Sequence, residues 1–298
     1  MSRQSISDAV KSGRILVSDG AWGTFLQKKG LKAGDCPELW CVTHRADVLD
    51  IAQSYIAAGA DMIETDSFGG TRCKLQHFGL ADRTEELNRA AAEISREAAG
   101  TDKWVIASVG PTGLMTAMGD VTEEEFYMTF KEQVVALAMG GADALCIETM
   151  SALDEAVAAV RASRDSTLCE VICTLTFERT IQGEYRTMMG VSPTQAAREL
   201  VEAGAHIIGT NCGNGMERMV EIVRELRAAA PTTPILVHAN AGLPKNINGV
   251  DVFPETPADM AARVPALVAA GANIIGGCCG TTPAHITAIK KAASALKH

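Results

Sequence analysis

Aromatic residues are scarce in this 298-residue chain, which has three Trp, three Tyr and seven Phe. So few rings argue against a base-stacking platform for single-stranded nucleic acid. Positive charge is short as well: 27 Lys and Arg face 36 Asp and Glu, for a net charge of −9. Such a balance argues against a surface for nucleic acid or an anionic membrane. No run is apolar and long enough to span a bilayer, and the opening "MSRQSISDAVKSGR" has no apolar core of signal-peptide length. A cytoplasmic location is therefore expected, with no nucleic-acid and no membrane partner. Linker-like, low-complexity and charge-block segments are also missing, so one domain over residues 1–298 is expected. The nine cysteines then belong to a reducing compartment, where burial, metal binding or reactivity is expected in place of cross-linking.

What is present is an alternation of short β-branched runs with longer helical patterns. The runs are "ILVSDG" (15–20), "DMIETD" (61–66), "WVIASVG" (104–110), "ALCIET" (144–149), "EVICTLTF" (170–177), "HIIGTNC" (206–212), "PILVHAN" (234–240) and "NIIGGCC" (273–279). They are continuously apolar, as parallel strands covered on both faces are. A weak repeat precedes every second strand: "AAGAD" (57–61), "GGAD" (140–143), "EAGAH" (202–206) and "AAGAN" (269–273). Its glycine is expected to end a helix in the left-handed conformation. Eight such units predict a (β/α)8 TIM barrel in the α/β class. A doubly wound sheet is the alternative, but "SDGAWGTF" is only superficially like the phosphate-binding glycine fingerprint of that fold.

In such a barrel chemistry gathers at the C-terminal strand ends. Asp19, Glu64, Asp66, Glu148, Asn211, Cys212, His238, Asn240, Cys278 and Cys279 all fall there. Cys278 and Cys279 stand side by side in "GGCCGTTPAHI" (276–286). Adjacent cysteines rarely bond to each other, because the ring is strained, but two soft thiols suit a thiophilic metal. Successive strand residues point to opposite faces, so both can reach one ion only where the strand turns. Gly276, Gly277 and Gly280 are expected to free the backbone for that turn. With Cys212 they make three sulfur ligands, which favours zinc with an open fourth position. Cys146, Cys169 and Cys173 read as core residues, and Cys36, Cys41 and Cys73 as bystanders. His238 is read as part of a hydrogen-bond network, not as a ligand.

The ordered motifs resemble those of the homocysteine S-methyltransferase family of zinc-dependent barrels, over nearly the whole chain. They are "DGAWGT" (19–24), "IETDSFGG" (63–70), "VGPTG" (109–113), "IETM" (147–150), "GTNC" (209–212), "NAGLP" (240–244) and the double-cysteine motif. The likeness is greatest to the homocysteine-binding module of the cobalamin-dependent branch. It implies that Cys212, Cys278 and Cys279 bind Zn2+, and that Asp19 and Glu148 hold the ammonium group of homocysteine. Gly20 and Ala21 would lie near the substrate carboxylate. Asn240 matches an Asn whose oxygen can lie close to the metal, and Glu64 matches an acid of the second-strand motif. Trp22 replaces a usual Met, and Asp66 and Ser67 stand where "ETNTF" is common.

The expected reaction is methylation of homocysteine to methionine. A thiol is mostly protonated at neutral pH, and only its thiolate is a good nucleophile; metal coordination removes the proton. The resemblance implies a methylated corrinoid (cobalamin), carried on a separate protein, as donor. Betaine or sulfonium donors, another thiol acceptor, a redox or metal sensor built on the vicinal cysteines, and a non-catalytic zinc-stabilised barrel are the alternatives.

Overall fold

The structure, a computed structural model, describes residues 4–247 and 250–296; the other positions of the expected 1–298 barrel lie outside the described residues. Eight parallel strands follow in chain order: β1 (Leu16–Val17), β2 (Met62–Ile63), β3 (Trp104–Val109), β4 (Ala144–Met150), β5 (Glu170–Leu175), β6 (Ile207–Gly215), β7 (Ile235–Asn240) and β8 (Ile274–Gly277). They pair in the order β1–β8–β7–β6–β5–β4–β3–β2. Each strand thus lies beside its sequence neighbour, and β8 returns to β1. A helix packs outside after every strand, from Arg45–Ala57 after β1 to Pro283–Ala295 after β8. This is the (β/α)8 barrel, and the doubly wound alternative falls because the sheet curls back on itself.

The two-faced burial explains the unbroken apolar runs. Leu16, Met62, Ile106, Cys146, Ile172, Ile207, Leu236 and Ile274 fill the barrel interior. Their neighbours Val17, Ile63, Val105, Leu145, Cys173, Ile208, Val237 and Ile275 pack outward among the helix residues. Alternation along each strand sends these sets to opposite faces. The helix Ile6–Lys11 adds Ile6, Ala9 and Val10 to the interior set and so closes the N-terminal end. Its first two N–H groups, of Ile6 and Ser7, donate to the Glu170 carboxylate at the start of β5. A helix start has no internal acceptors for these donors, and an acid there also meets its positive dipole end. The repeat glycines behave as expected: Gly59, Gly141, Gly204 and Gly271 have φ between 98° and 114°.

Sequence did not foretell how β1 meets β2. The two strands share no ladder; one backbone bond and the carboxylates of Asp61 and Asp19 close the seam. The Asp61 N–H donates to the Val17 carbonyl at 2.7 Å, and Asp61 Oδ2 accepts from the Val17 N–H at 2.9 Å. Lys290, from the last helix, donates to the same oxygen at 2.6 Å. Further up, Asp19 Oδ2 accepts from the Glu64 N–H at 2.9 Å. Two short hairpins were also unforeseen, Glu178–Arg179 with Tyr185–Arg186 and Lys245–Ile247 with Val250–Val252. Both rise from the C-terminal face, in the loops after β5 and β7.

Removing the Asp61 carboxylate leaves a buried N–H and a lysine without their acceptor. Asp61→Ala is expected to lower stability by about 3 kcal/mol, read as a fall in the urea midpoint with an unchanged slope. A shift below about 0.5 kcal/mol would mean that the seam closes without this carboxylate.

Candidate active site

Cys212, Cys278 and Cys279 reach one point from two strand ends, their Sγ atoms all within 4.8 Å of one another. Local backbone geometry makes this possible. Cys278 to Thr281 form a tight turn in which the Thr281 N–H donates to the Cys278 carbonyl at 3.1 Å. Gly280 has φ +81°, as the third residue of a type II turn requires. The turn carries Cys279 round to the side of Cys278. Only Gly280 meets the expectation of backbone freedom, and that expectation is corrected for Gly276 and Gly277. These two continue β8, where a Cβ on Gly276 would lie 2.8 Å from the Asp19 carbonyl and 2.9 Å from His238 Cδ2, and one on Gly277 would strike the Thr281 side chain. They are glycine for close approach. Cys212 itself has φ +57°, a left-handed conformation that a side chain adopts at a cost.

The sulfurs are not equivalent. Cys212 accepts hydrogen bonds from the Cys278 and Cys279 thiols, the Gly213 N–H and the Asn240 amide, which hold it far below the ordinary thiol range despite its burial. Donation to Cys212 pushes both Cys278 and Cys279 upward. Three cysteine sulfurs, two of them from one turn, suit a thiophilic cation such as zinc with a fourth position open.

A layer of buried acids lies in the same barrel mouth. Asp19 ends β1 and is fully buried. Its Oδ1 accepts from Ser18 Oγ at 2.9 Å, and its Oδ2 from Trp22 Nε1 at 2.8 Å and from the Glu64 N–H. Glu148, inward on β4, accepts from Ser108 Oγ and, at 3.2 Å, from Asn211 Nδ2. Glu64 Oε1 lies 3.4 Å from His238 Nδ1 and has no hydrogen-bond partner among the described residues. Burial raises all three carboxyl groups above the usual range, for Glu64 and Glu148 reinforced by each other or by Asp19. Burial lowers His238, which favours a neutral ring. Three acids around one neutral imidazole make a site short of positive charge.

Other expected residues take specific places. Asn240 ends β7 with its Oδ1 unpartnered among the described residues. The Ala21 N–H donates to Thr281 Oγ1 at 3.0 Å, and Gly20 packs so closely on Thr281 and Tyr55 that a Cβ would lie within 2.9 Å of Tyr55. Trp22 serves Asp19, as above. Asp66 turns away from the acid layer toward the Cys41 thiol, while Ser67 joins Thr65 and the Ser108 carbonyl to tie β2 to β3. Cys36 and Cys41 are thus not bystanders: Cys36 donates to Glu38 at 3.3 Å, and both are buried. Cys146 and Cys173 are core, as read. Ser108, Tyr55 and Thr281 were not singled out. Strand parity with Trp104 and Ile106 marks Ser108 as inward, whereas nothing local marks Tyr55.

A family model described as homocysteine S-methyltransferase matches residues 16–293. The chain is 34% identical to the methionine synthase of Mycobacterium tuberculosis over 97% of its own length and 25% of that protein's. The Mycobacterium leprae methionine synthase is 33% identical over 94% of this chain and 24% of its own. The chain thus spans about a quarter of the length of these relatives. Among solved structures it resembles the metallated form of the homocysteine methyltransferase MmuM from Escherichia coli, with a TM-score of 0.78 and 25% identity over 95% of this chain and 98% of that one.

The left-handed backbone at Cys212 gives a measurable consequence. In metal-free protein, Cys212→Gly is expected to be more stable than Cys212→Ala by about 1 kcal/mol, because both lose the sulfur and only glycine escapes the strain. Paired urea melts test this. Equal stability would place no strain at this position.

Proposed function

The chain belongs to the homocysteine S-methyltransferase family, and from that premise we propose that it methylates the thiol of homocysteine to give methionine. The observation that carries this reading is the juxtaposition of three cysteine sulfurs with a buried, cation-poor acid layer at one barrel mouth. Cys212, Cys278 and Cys279 would hold a zinc ion, which supplies the positive charge that keeps a substrate thiol deprotonated at neutral pH. Asn240 sits beside the sulfurs and donates to Cys212, which keeps its oxygen available until a substrate arrives. Glu148, with Asp19 and Glu64 in the same layer, supplies negative charge for the substrate ammonium group. The Gly20–Ala21 turn faces the carboxylate end. Holding both ends of the amino acid fixes its sulfur for in-line attack on a methyl group, so that positioning replaces a bimolecular search.

The donor is a methylated corrinoid carried outside this barrel, with the reaction taking place in the cytoplasm. The C-terminal rim supports a docking role. Met115 and Met118 after β3, Ile181, Met188 and Met189 after β5, and Leu243 after β7 are all exposed. Flexible, polarizable methionines can adapt to a partner surface. Among the described residues no helix is long and apolar enough to cross a membrane.

Zinc-loaded protein given homocysteine and excess methylcobalamin under reducing conditions is expected to form methionine, and zinc-stripped protein is not. Methionine from betaine or a sulfonium donor alone would replace the corrinoid. In the same assay Cys279→Ser should lose most bound zinc together with turnover; full activity without metal would overturn the metal-dependent reading. Glu148→Ala is expected to raise the homocysteine requirement at least tenfold with zinc content unchanged. Loss of zinc in that variant would make Glu148 structural.

A further inference from the structure

Resting on the reading that Cys212, Cys278 and Cys279 hold zinc, we infer that the segment Phe253, Pro254 and Glu255 is a brace that sets where those sulfurs stand, with Glu255 as its positioning residue. None of the three side chains belongs to the sulfur cluster or to the acid layer. They follow the hairpin strand Val250–Val252 and precede the helix Pro257–Ala270, in the connection after β7.

Three glycines show where the segment rests, one in each of the loops after β6, β7 and β8. A Cβ on Gly215, which ends β6 just beyond Cys212, would stand 2.5 Å from Glu255 Oε1. One on Gly242, just beyond Asn240, would stand 3.0 Å from Glu255 Cγ and 3.2 Å from Pro254 Cδ. One on Gly280, next to Cys279, would strike the Phe253 ring. Glycine lets another group approach a backbone this closely. Each loop at the sulfur end is thus cleared of a side chain at the point where this one segment presses on it.

Backbone hydrogen bonds fasten the same segment. The Glu255 N–H donates to the Ala241 carbonyl at 2.9 Å, and the Ala241 N–H donates to the Cys279 carbonyl at 3.0 Å. His285 Nδ1 accepts from the Thr282 N–H at 3.2 Å, which leaves Nε2 to donate to the Glu255 carbonyl at 3.0 Å. Thr282 and His285 belong to the tail of the double-cysteine motif, which the ligand set alone leaves unexplained. On the other side, β6 bulges away from β7 between Asn211 and Gly215, and Cys212 sits in that bulge with its left-handed backbone. The Glu255 carboxylate faces the Met216 N–H at the far end of the bulge, where Gly215 offers no capping side chain to the helix that follows. A carboxylate is favoured beside the free N–H groups of a helix start. A strained residue such as Cys212 persists only where its surroundings over-determine it.

The test loads metal-free, reduced protein with Co2+, whose absorption reports the sulfurs bound and the geometry around the ion, and measures zinc affinity by competition with a chelator. Wild-type protein is expected to give the spectrum of a tetrahedral, sulfur-rich site. Glu255→Ala keeps both backbone bonds and removes the carboxylate. It is expected to weaken zinc binding at least tenfold and to change the cobalt spectrum, while the thermal midpoint of the metal-free protein moves little. Glu255→Gln, of the same shape and with an acceptor oxygen kept, is expected to restore most of both. Gly215→Ala approaches the brace from the other side. Gly215 has φ −79° and ψ 173°, which alanine adopts freely, so the added methyl acts by displacing the Glu255 carboxylate, its nearest neighbour there. It is expected to match Glu255→Ala, and the double variant to lose little more than either single one, because two changes that remove one contact do not add. Wild-type zinc affinity and cobalt spectrum in both single variants, or losses that add in the double variant, would overturn the brace and leave the sulfur site intact. Failure of wild-type protein to bind either ion would overturn the zinc reading and the brace with it.

Discussion

A barrel cannot leave backbone donors bare in its interior, and here the first two strands are too short to satisfy each other. Carboxylates supply what the missing ladder would have given. Asp61 takes the Val17 N–H low in the seam, and Asp19 takes the Glu64 N–H near the mouth. The same two strand ends carry the acids of the site. Closing the barrel and placing the charged groups are therefore one structural act. A buried carboxylate is tolerated because every one of its bonds is made, and Asp19 makes three.

Around that seam the molecule divides by depth. The N-terminal end is sealed by the Ile6–Lys11 helix over an apolar interior. Above it, inward positions turn polar at the same level on several strands: Glu64, Ser108, Glu148, Asn211 and His238. Higher still, the sulfurs gather where β6 and β8 lose regular geometry. Strained backbone appears only at this level among non-glycine residues, at Thr149 and Cys212 among those described. Thr149 and Asn211 share hydrogen bonds with each other, and Asn211 also donates to Glu148. The strain and the polar network thus belong to one patch, next to the sulfurs.

Electrostatics give this arrangement a direction. The acid layer repels itself and is desolvated, so its charge is best met by a cation that enters from the mouth. The three sulfurs gathered above it are likewise best met by a cation. An amino thiol, the substrate class proposed above, would span the two demands, with an ammonium group at one end and a sulfur at the other. This complementarity joins the family membership to the chemistry of these side chains, independently of any one motif.

Sequence by itself determined the barrel, because two-faced burial writes unbroken apolar runs and helix-ending glycines write a repeat, both of which are local signals. It also marked Cys212, Cys278, Cys279, Asp19, Glu64, Glu148 and Asn240, since barrel chemistry falls at strand ends that can be counted. Tertiary structure alone decided what those residues do to one another. That Gly276 is small for Asp19 and His238, that Trp22 saturates Asp19, and that Cys36 and Cys41 have acidic partners depends on contacts between distant segments. The β1–β2 seam was hidden for the same reason: hydrogen bonds from a side chain to another strand's backbone leave no periodicity in the chain. Periodicity reports which face a residue takes, and only the closed barrel reports what waits across from it.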